Sequence, residues 1–495
     1  MRVPQVLHTG IPGRLLLTGL LGTTLLAVGG VGAGAVPNLK DAIALTLHLT
    51  WLHDGGPIQA VCTVLVFVGM VLLVSSWWQL RRLLDQLSPR AVLLVAALWS
   101  LPLLLAPPLF SRDVYAYAGQ GNLVAHHIDP YTYGPGALTG KWVIRVDGVW
   151  RFTPAPYGPV WLWLSGRVVV LVGDHVVAAV ILLRMLAVAG LLLVAWALPK
   201  LARAHGVAPQ RALWLGLANP FVLLHGVAGA HNDTVMIGLL ACGLAVAGSR
   251  PTWWRLVAAS ALVTTAALVK LPAAAALGFL PMLLPGWGRR LRAGLVVAVT
   301  AAATAVLTTT ATGLGWGWLH NLDAGSARLS IFSPATGLGV AIGSALQAVG
   351  LVHTPAAVVR LVIAGSLVVA GVLALGLLLR SHHVGPLRAL GLTLVGVVAL
   401  GPVVQPWYLL WGLVLLAAVA GERVVLALAA LSVALCLSLL PNGRSLVRPP
   451  LYGAPLVAAA ALAAFEVRRS TRKVLDDTDE TADPVEPVDR LRVRA

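Results

Sequence analysis

LFSRDVYAYAGQGNLVAHHIDPYTYGPGALTGKWVIRVDGVWRFTPAPYGPV, residues 109–160, is a polar island in an apolar chain. It carries Arg112, Asp113, His126, His127 and Asp129, with tyrosines, tryptophans and several Pro and Gly breaks. An apolar run, 91–108, enters it, and another, 176–198, follows it. So much polar and aromatic chemistry between greasy runs reads as the working face of a membrane enzyme.

Composition supports the setting. The 495 residues are 58% hydrophobic and 11% charged, with a mean hydropathy of +0.88. Soluble domains carry about 25% charged residues, so this chain is predicted to be an all-α polytopic integral membrane protein. The net charge of +17 is scattered in small clusters between apolar runs. That is the positive-inside pattern, with no basic domain able to track a nucleic-acid backbone. Cys62, Cys242 and Cys436 all fall in apolar runs and read as small core residues.

A bilayer core asks for about 20 apolar residues per helix. Working outward from the island, the runs 15–36, 58–77, 91–108, 176–198, 212–228, 234–248, 256–270, 272–285, 293–311, 357–379, 389–403, 407–420, 424–440 and 451–465 are predicted to cross, about 14 in all. Segments 157–173 and 335–350 are apolar but short or Gly-rich, and are predicted to be re-entrant. Arg81, Arg82, Lys200, Arg203, Arg289 and Arg290 then fall inside, as do both termini. The result is a membrane body over 1–465 with large extracytoplasmic loops at about 109–157 and 312–334. An acidic, Pro-containing tail, 466–495, is predicted to be disordered and cytoplasmic.

The acids are few enough to enumerate. Of eighteen Asp and Glu, seven lie in the tail after Ser470. Asp113 and Asp233 sit hard against the ends of spans, where an ionised group tends to face a cavity or a partner. Asp113, preceded by Arg112, is read as functional against the plainer reading of a local charge pair or interfacial cap. His231, Asn232 and Asp233 form a second knot, where a helix cap is the plain alternative. Lys270 is a phosphate contact or a snorkelling lysine. Gln405, Trp407 and Tyr408 can hold a sugar ring or belong to an aromatic belt. Asp129 is read as ordering its loop or facing an acceptor, together with His127, Tyr131 and Tyr157. Walker, HExxH and GxSxG patterns are missing from the sequence, and the His pairs at 126–127 and 382–383 lack further ligands. No metal and no cofactor are expected.

Taken together, SRDVYAYAGQGNLVAHHIDPYTYGP, TPAPYGPVW at 153–161, NPFVLLHGVAGAHND at 219–233, VKLPAA at 269–274 and QPWYLLW at 405–411 resemble the actinobacterial polyprenol-phosphomannose-dependent α-1,6-mannosyltransferases of the glycosyltransferase C superfamily. The blocks run in family order from about residue 100 to 415. The resemblance implies a GT-C-like helix bundle in the plasma membrane and chemistry on its outer face. It also implies a polyprenyl-phosphate-mannose donor and a mannosylated phosphatidylinositol-type or related glycolipid acceptor of the lipomannan kind. It places a catalytic base at Asp113. An α product from a β donor requires inversion, with Lys270, Arg112, His231 and Arg328 as candidates to face the leaving phosphate. Two other readings remain: a flippase for lipid-linked sugars, and a related enzyme using lipid-linked arabinose or glucose.

Overall fold

The computed structural model describes residues 10–35, 56–321 and 332–444. The predicted span 451–465, the acidic tail, and Asp41, Asp54, Asp323 and Arg328 lie outside the described residues. Within them the chain is helical. The helices of eight or more residues are α1 (Gly13–Ala33), α2 (Pro57–Leu80), α3 (Pro89–Leu105), α4 (Asp113–Ala125) and α5 (Pro159–Val172). Then come α6 (Val176–Ala204), α7 (Pro209–Gly216), α8 (Asp233–Ala247), α9 (Trp253–Ala267) and α10 (Trp287–Thr312). The series ends with α11 (Pro334–Ala348), α12 (Ala356–Leu379), α13 (Pro386–Leu400), α14 (Leu410–Ala417) and α15 (Glu422–Cys436).

Five of these are long and apolar enough to cross a bilayer: α1, α2 with its 3₁₀ extension to Gln86, α6, α10 and α12. A sixth possibility is a pair, Pro220–Ala228 and α8, bent by 116°. This fits a multi-pass membrane protein; among the described residues the other predicted crossings are shorter helices. A helix of 15 residues is about 22 Å long, short of the roughly 30 Å hydrocarbon core. Prolines cut the remaining runs into such lengths. The predicted crossing at 272–285 is three short helical pieces, Leu271–Ala274, Ala275–Phe279 and Pro281–Leu283, two of them opened by Pro272 and Pro281. That at 407–420 is a 3₁₀ turn, Pro406–Leu409, leading into α14. The 157–173 and 335–350 segments do form short helices, α5 and α11.

The two halves of the bundle differ in burial. α12 buries only Val359 and Ala370, and leaves Leu361, Val368 and Val372 exposed. An apolar face turned outward in this way suits lipid. The first half is densely packed instead. Trp77 at the end of α2 and Trp214 in α7 stack at 4.4 Å. Each indole N–H also donates to the other residue's carbonyl at 2.9 Å.

Arg184 on α6, only 1% exposed, explains how a span can carry a charge. Its guanidinium donates to the carbonyls of Leu104 and Ala106 at 2.7 Å and of Ala228 at 3.3 Å. Those carbonyls belong to two chain breaks, the end of α3 and the end of the bent segment, and α6 pins both. The stretch leaving the first break leads to Asp113, and that leaving the second leads to His231.

Candidate active site

Both approaches to the site are backbone-strained. Phe110 and Ala230 have φ of 61° and 54°, unusual for residues with a Cβ. Such strain persists where surrounding structure over-determines it, commonly at functional sites. Leu109 donates its N–H to Ala228 at 3.3 Å, and Phe110 to Pro441 at 2.8 Å. Residues 223–228 are wound as a π-helix, a form found mostly at functional sites, and this aims His225 inward.

Asp113 is the first residue of α4, and its backbone N–H donates to the Ser111 hydroxyl at 3.1 Å. Its Oδ2 lies 3.6 Å from Nδ1 of His231, longer than a hydrogen bond. Burial pushes the Asp113 carboxyl up to about 7, with Asp233 and Asp147 adding to the rise and Lys270 and the Ser111 hydroxyl opposing it. A carboxylate poised near neutrality is what general-base work asks for.

Asp233 starts α8 and is fully buried. Lys270 donates to both of its oxygens, at 2.8 and 2.9 Å, and the Trp411 indole to one at 2.6 Å. Lys270 reaches it because Gly158 lets residues 157–160 press against the backbone of Leu268, where any Cβ would collide. Gly158 and Val160 donate to the carbonyls of Val269 and Leu268 there. The ammonium lies 4.5 Å from the ring centre of Tyr408 and 5.7 Å from that of Tyr157. Tyr117, one turn along α4 from Asp113, donates to Asn232 Oδ1 at 3.3 Å and packs edge-on against Tyr157 and Trp161.

Opposite these lies a set of buried donors and acceptors. His231 stacks on Trp407 at 4.0 Å, with His225 at 5.6 Å from the same indole. Both ring nitrogens of His231, Nδ1 of His225, Nδ2 of Asn232 and Nε1 of Trp407 are buried without a hydrogen-bond partner among the described residues. Native proteins satisfy the great majority of buried polar groups. Five such atoms in one cluster mark a place built to meet a polar ligand.

The fold therefore brings Asp113, His231, Asn232, Asp233, Lys270, Tyr157, Trp407 and Tyr408 together. Several of the expected site residues make other contacts. Lys270 is held bidentately by Asp233, so its charge is neutralised inside the protein. Arg112 turns from its neighbour Asp113 to Asp147, at 3.7 Å. His127, Asp129 and Tyr131 sit beyond the far end of α4, one 13-residue helix or about 20 Å away. Asp129 there orders its turn by accepting from Tyr131 N–H at 2.9 Å and the Thr132 hydroxyl at 2.6 Å. Gln405 lines an apolar cavity of about 280 Å³ with Phe332, Val395, Val398, Leu409 and Leu431. Sequence reasoning missed His225, Trp411 and Tyr117. Trp411 stands four residues after Trp407, and Tyr117 four after Asp113, helical spacings that would have put each near its partner.

Residues 16–286 match the family model described as alpha-(1->6)-mannopyranosyltransferase, N-terminal domain, and residues 335–469 match the MptB C-terminal domain. A probable alpha-(1->6)-mannopyranosyltransferase of Mycolicibacterium smegmatis is 37% identical over 82% of this chain and 78% of its own length. An alpha-(1->6)-mannopyranosyltransferase of Mycobacterium tuberculosis is 35% identical over 85% of this chain and 81% of its own. A second from that organism, alpha-(1->6)-mannopyranosyltransferase A, is 36% identical over 57% of this chain and 53% of its own. No solved structure matches. With a family model matched over more than half of its length and relatives 35–37% identical over most of it, the chain belongs to the alpha-(1->6)-mannopyranosyltransferase family.

Proposed function

We propose that this mannosyltransferase takes its mannose from polyprenyl phosphomannose and attaches it to a mannan glycolipid anchored in the plasma membrane, on the outer face. The observation that carries the mechanism is Asp113, largely buried, raised to about 7 and held by no strong ionic partner. The acceptor O6–H proton passes to Asp113 as O6 bonds to C1 of the donor mannose from the face opposite phosphate. The C1–O bond to phosphate breaks in the same displacement, inverting the anomeric centre. Polyprenyl monophosphate leaves with the electron pair, and N–H groups of His231, Asn232 and Trp407 face its growing charge.

Lys270 serves this site through Asp233. The pair fixes the start of α8, and so the position of His231 and Asn232. The apolar cavity beside Gln405 supports a lipid-linked donor, since it adjoins Trp407 and suits the first isoprene units. The C-terminal match to the MptB model, set against an A-type alignment over 57% of the chain, favours the B type of the family. Membership in a transferase family removes the support for a flippase.

The test uses membranes containing the full chain and polyprenyl phosphate carrying labelled mannose. Label moves to an α-1,6 acceptor, with one polyprenyl phosphate released per sugar. Asp113→Asn lowers the rate by about 10²–10⁴, and near wild-type transfer by that variant would remove Asp113 from its role. Arabinose or glucose carriers that compete as effectively as the mannose carrier would overturn the donor. Thr139→Cys, beside the positive-φ Gly140, reports the side of the loop by its reaction with an impermeant thiol reagent.

A further inference from the structure

A second cavity, of about 420 Å³, lies at the opposite end of α4 from Asp113. Its walls come from the end of α4 and the loop after it (Val124, His127, Asp129), from α5 (Trp163, Arg167) and from the turn after α10 at 312–315. The mechanism above uses none of it.

The chemistry of the walls selects the ligand. Trp163 presents an exposed indole, and the Arg167 guanidinium lies 5.5 Å from its ring centre. Arg167 has no acidic partner among the described residues, whereas Lys141 is paired with Asp174 at 3.1 Å and Arg112 with Asp147. The Asp129 carboxylate is held rigidly by Tyr131 and Thr132, and a carboxylate has about four acceptor positions, so it can accept further bonds without moving. Gly313 and Gly315, both at positive φ, bring bare backbone to the rim. An anionic head group would meet Arg167 but be repelled by Asp129. A lipid tail would strand both charges. A neutral polyhydroxylated ring satisfies both, with its C–H face on the indole.

The cavity is joined to the reacting end by packed side chains. Tyr131, Ala155, Leu162, Leu268 and Trp318 form one small apolar cluster. Val124 and Leu314, which line the cavity, pack on the cluster, and so does Tyr157, which stands beside Tyr117 and Lys270 in the active site. A glycan lying over the outside of this cluster, with one end at Asp113, has its other end about one helix length away.

We infer that the cavity between α4, α5 and the end of α10 is a saccharide subsite, holding mannoses several units back from the acceptor's reacting end. The inference rests on the proposed α-1,6-mannan acceptor. It makes the enzyme a reader of acceptor length: chains long enough to reach Trp163 and Arg167 bind more tightly than those that end before them.

The experiment compares alkyl α-1,6-mannosides of two and six units as acceptors for the full chain in membranes, with wild type, Trp163→Ala and Arg167→Gln. Both side chains are exposed, so folding is retained. KM for the hexamer is expected to be about tenfold below that for the dimer. Either substitution is expected to close that gap by raising the hexamer KM, with kcat held. Equal KM values for the two acceptors in wild type, or substitutions that raise both alike, would overturn the subsite. A second arm needs no transfer: saturation-transfer NMR of free α-1,6-mannohexaose with detergent-solubilised protein and no donor. Contacts that vanish in Trp163→Ala support the subsite even if neither mannoside is an acceptor, in which case the proposed function alone fails. Contacts unchanged in Trp163→Ala, or none in wild type, overturn the subsite and leave that function standing wherever transfer is seen.

Discussion

Asp113 and Asp233 share one buried polar cluster and are treated in opposite ways. Asp233 has its charge matched by a bidentate lysine and a third bond from Trp411. Asp113 has a backbone turn through Ser111, a histidine too distant to bond, and 15% of its side chain open. Lys270 opposes the rise at Asp113 from a distance, but it is in contact only with Asp233. The satisfied carboxylate is architecture. The unsatisfied one can exchange a proton, because neither of its protonation states is locked.

The largest effect that can break this contrast is on stability. Removing one partner of a buried pair costs about 3–5 kcal/mol, so Asp233→Asn and Lys270→Met should each lower the unfolding midpoint in detergent sharply. The double variant should recover much of the loss, because no uncompensated charge remains. Asp113→Asn should hold or raise the midpoint above neutral pH. With its folded value near 7 against 3.8, the Asp113 carboxyl contributes most below 3.8, and that contribution is lost as pH climbs through 7. Equal damage from Asp113→Asn and Asp233→Asn would mean both acids are structural.

A smaller effect sharpens the contrast. The rate of transfer should rise with pH through a limb near 7, as Asp113 loses its proton and becomes able to accept one. Asp147→Asn keeps the cap that Asp147 gives to Val149 N–H at 3.0 Å. It removes a repelling carboxylate and frees the Arg112 charge, both of which favour ionised Asp113. The limb should move down by roughly half a unit. A limb that stays in place, or moves up, would assign it to another group.

Much of this cluster was legible because its members stand out chemically in an apolar chain. HND at 231–233, Lys270 and the Trp-Tyr pair at 407–408 stand out against the apolar runs around them, and the fold does bring them to Asp113. The pairings inside the cluster were not legible. Arg112 has Asp113 next to it in sequence but is ion-paired with Asp147, at 3.7 Å. Lys270 looked free because its partner is 37 residues away. The far placement of Asp129 follows from DVYAYAGQGNLVA being a helix, and two glycines and weak periodicity hide that. One of them, Gly121, is there because a Cβ would meet Ser165 of α5 at 2.5 Å, a packing fact that no local pattern carries. The short helices within predicted crossings have the same origin: hydropathy registers apolar runs, and proline decides how far each continues as a helix.

The smallest effect concerns how the donors opposite Asp113 are held. Tyr117→Phe keeps the ring that packs against Tyr157 and Trp161 and removes only the hydroxyl that Asn232 Oδ1 accepts from at 3.3 Å. One neutral hydrogen bond is worth about 1 kcal/mol, so stability should fall by no more than that. The Asn232 amide then loses its orienting bond. If its N–H group faces the donor phosphate, KM for the lipid donor should rise several-fold, with kcat changed less and the pH limb near 7 unmoved. A hundredfold loss in kcat at unchanged KM would place the phenol in the proton path. Asp113 would then no longer be the one mobile acid among fixed supports, and the base would be a Tyr117–Asp113 pair.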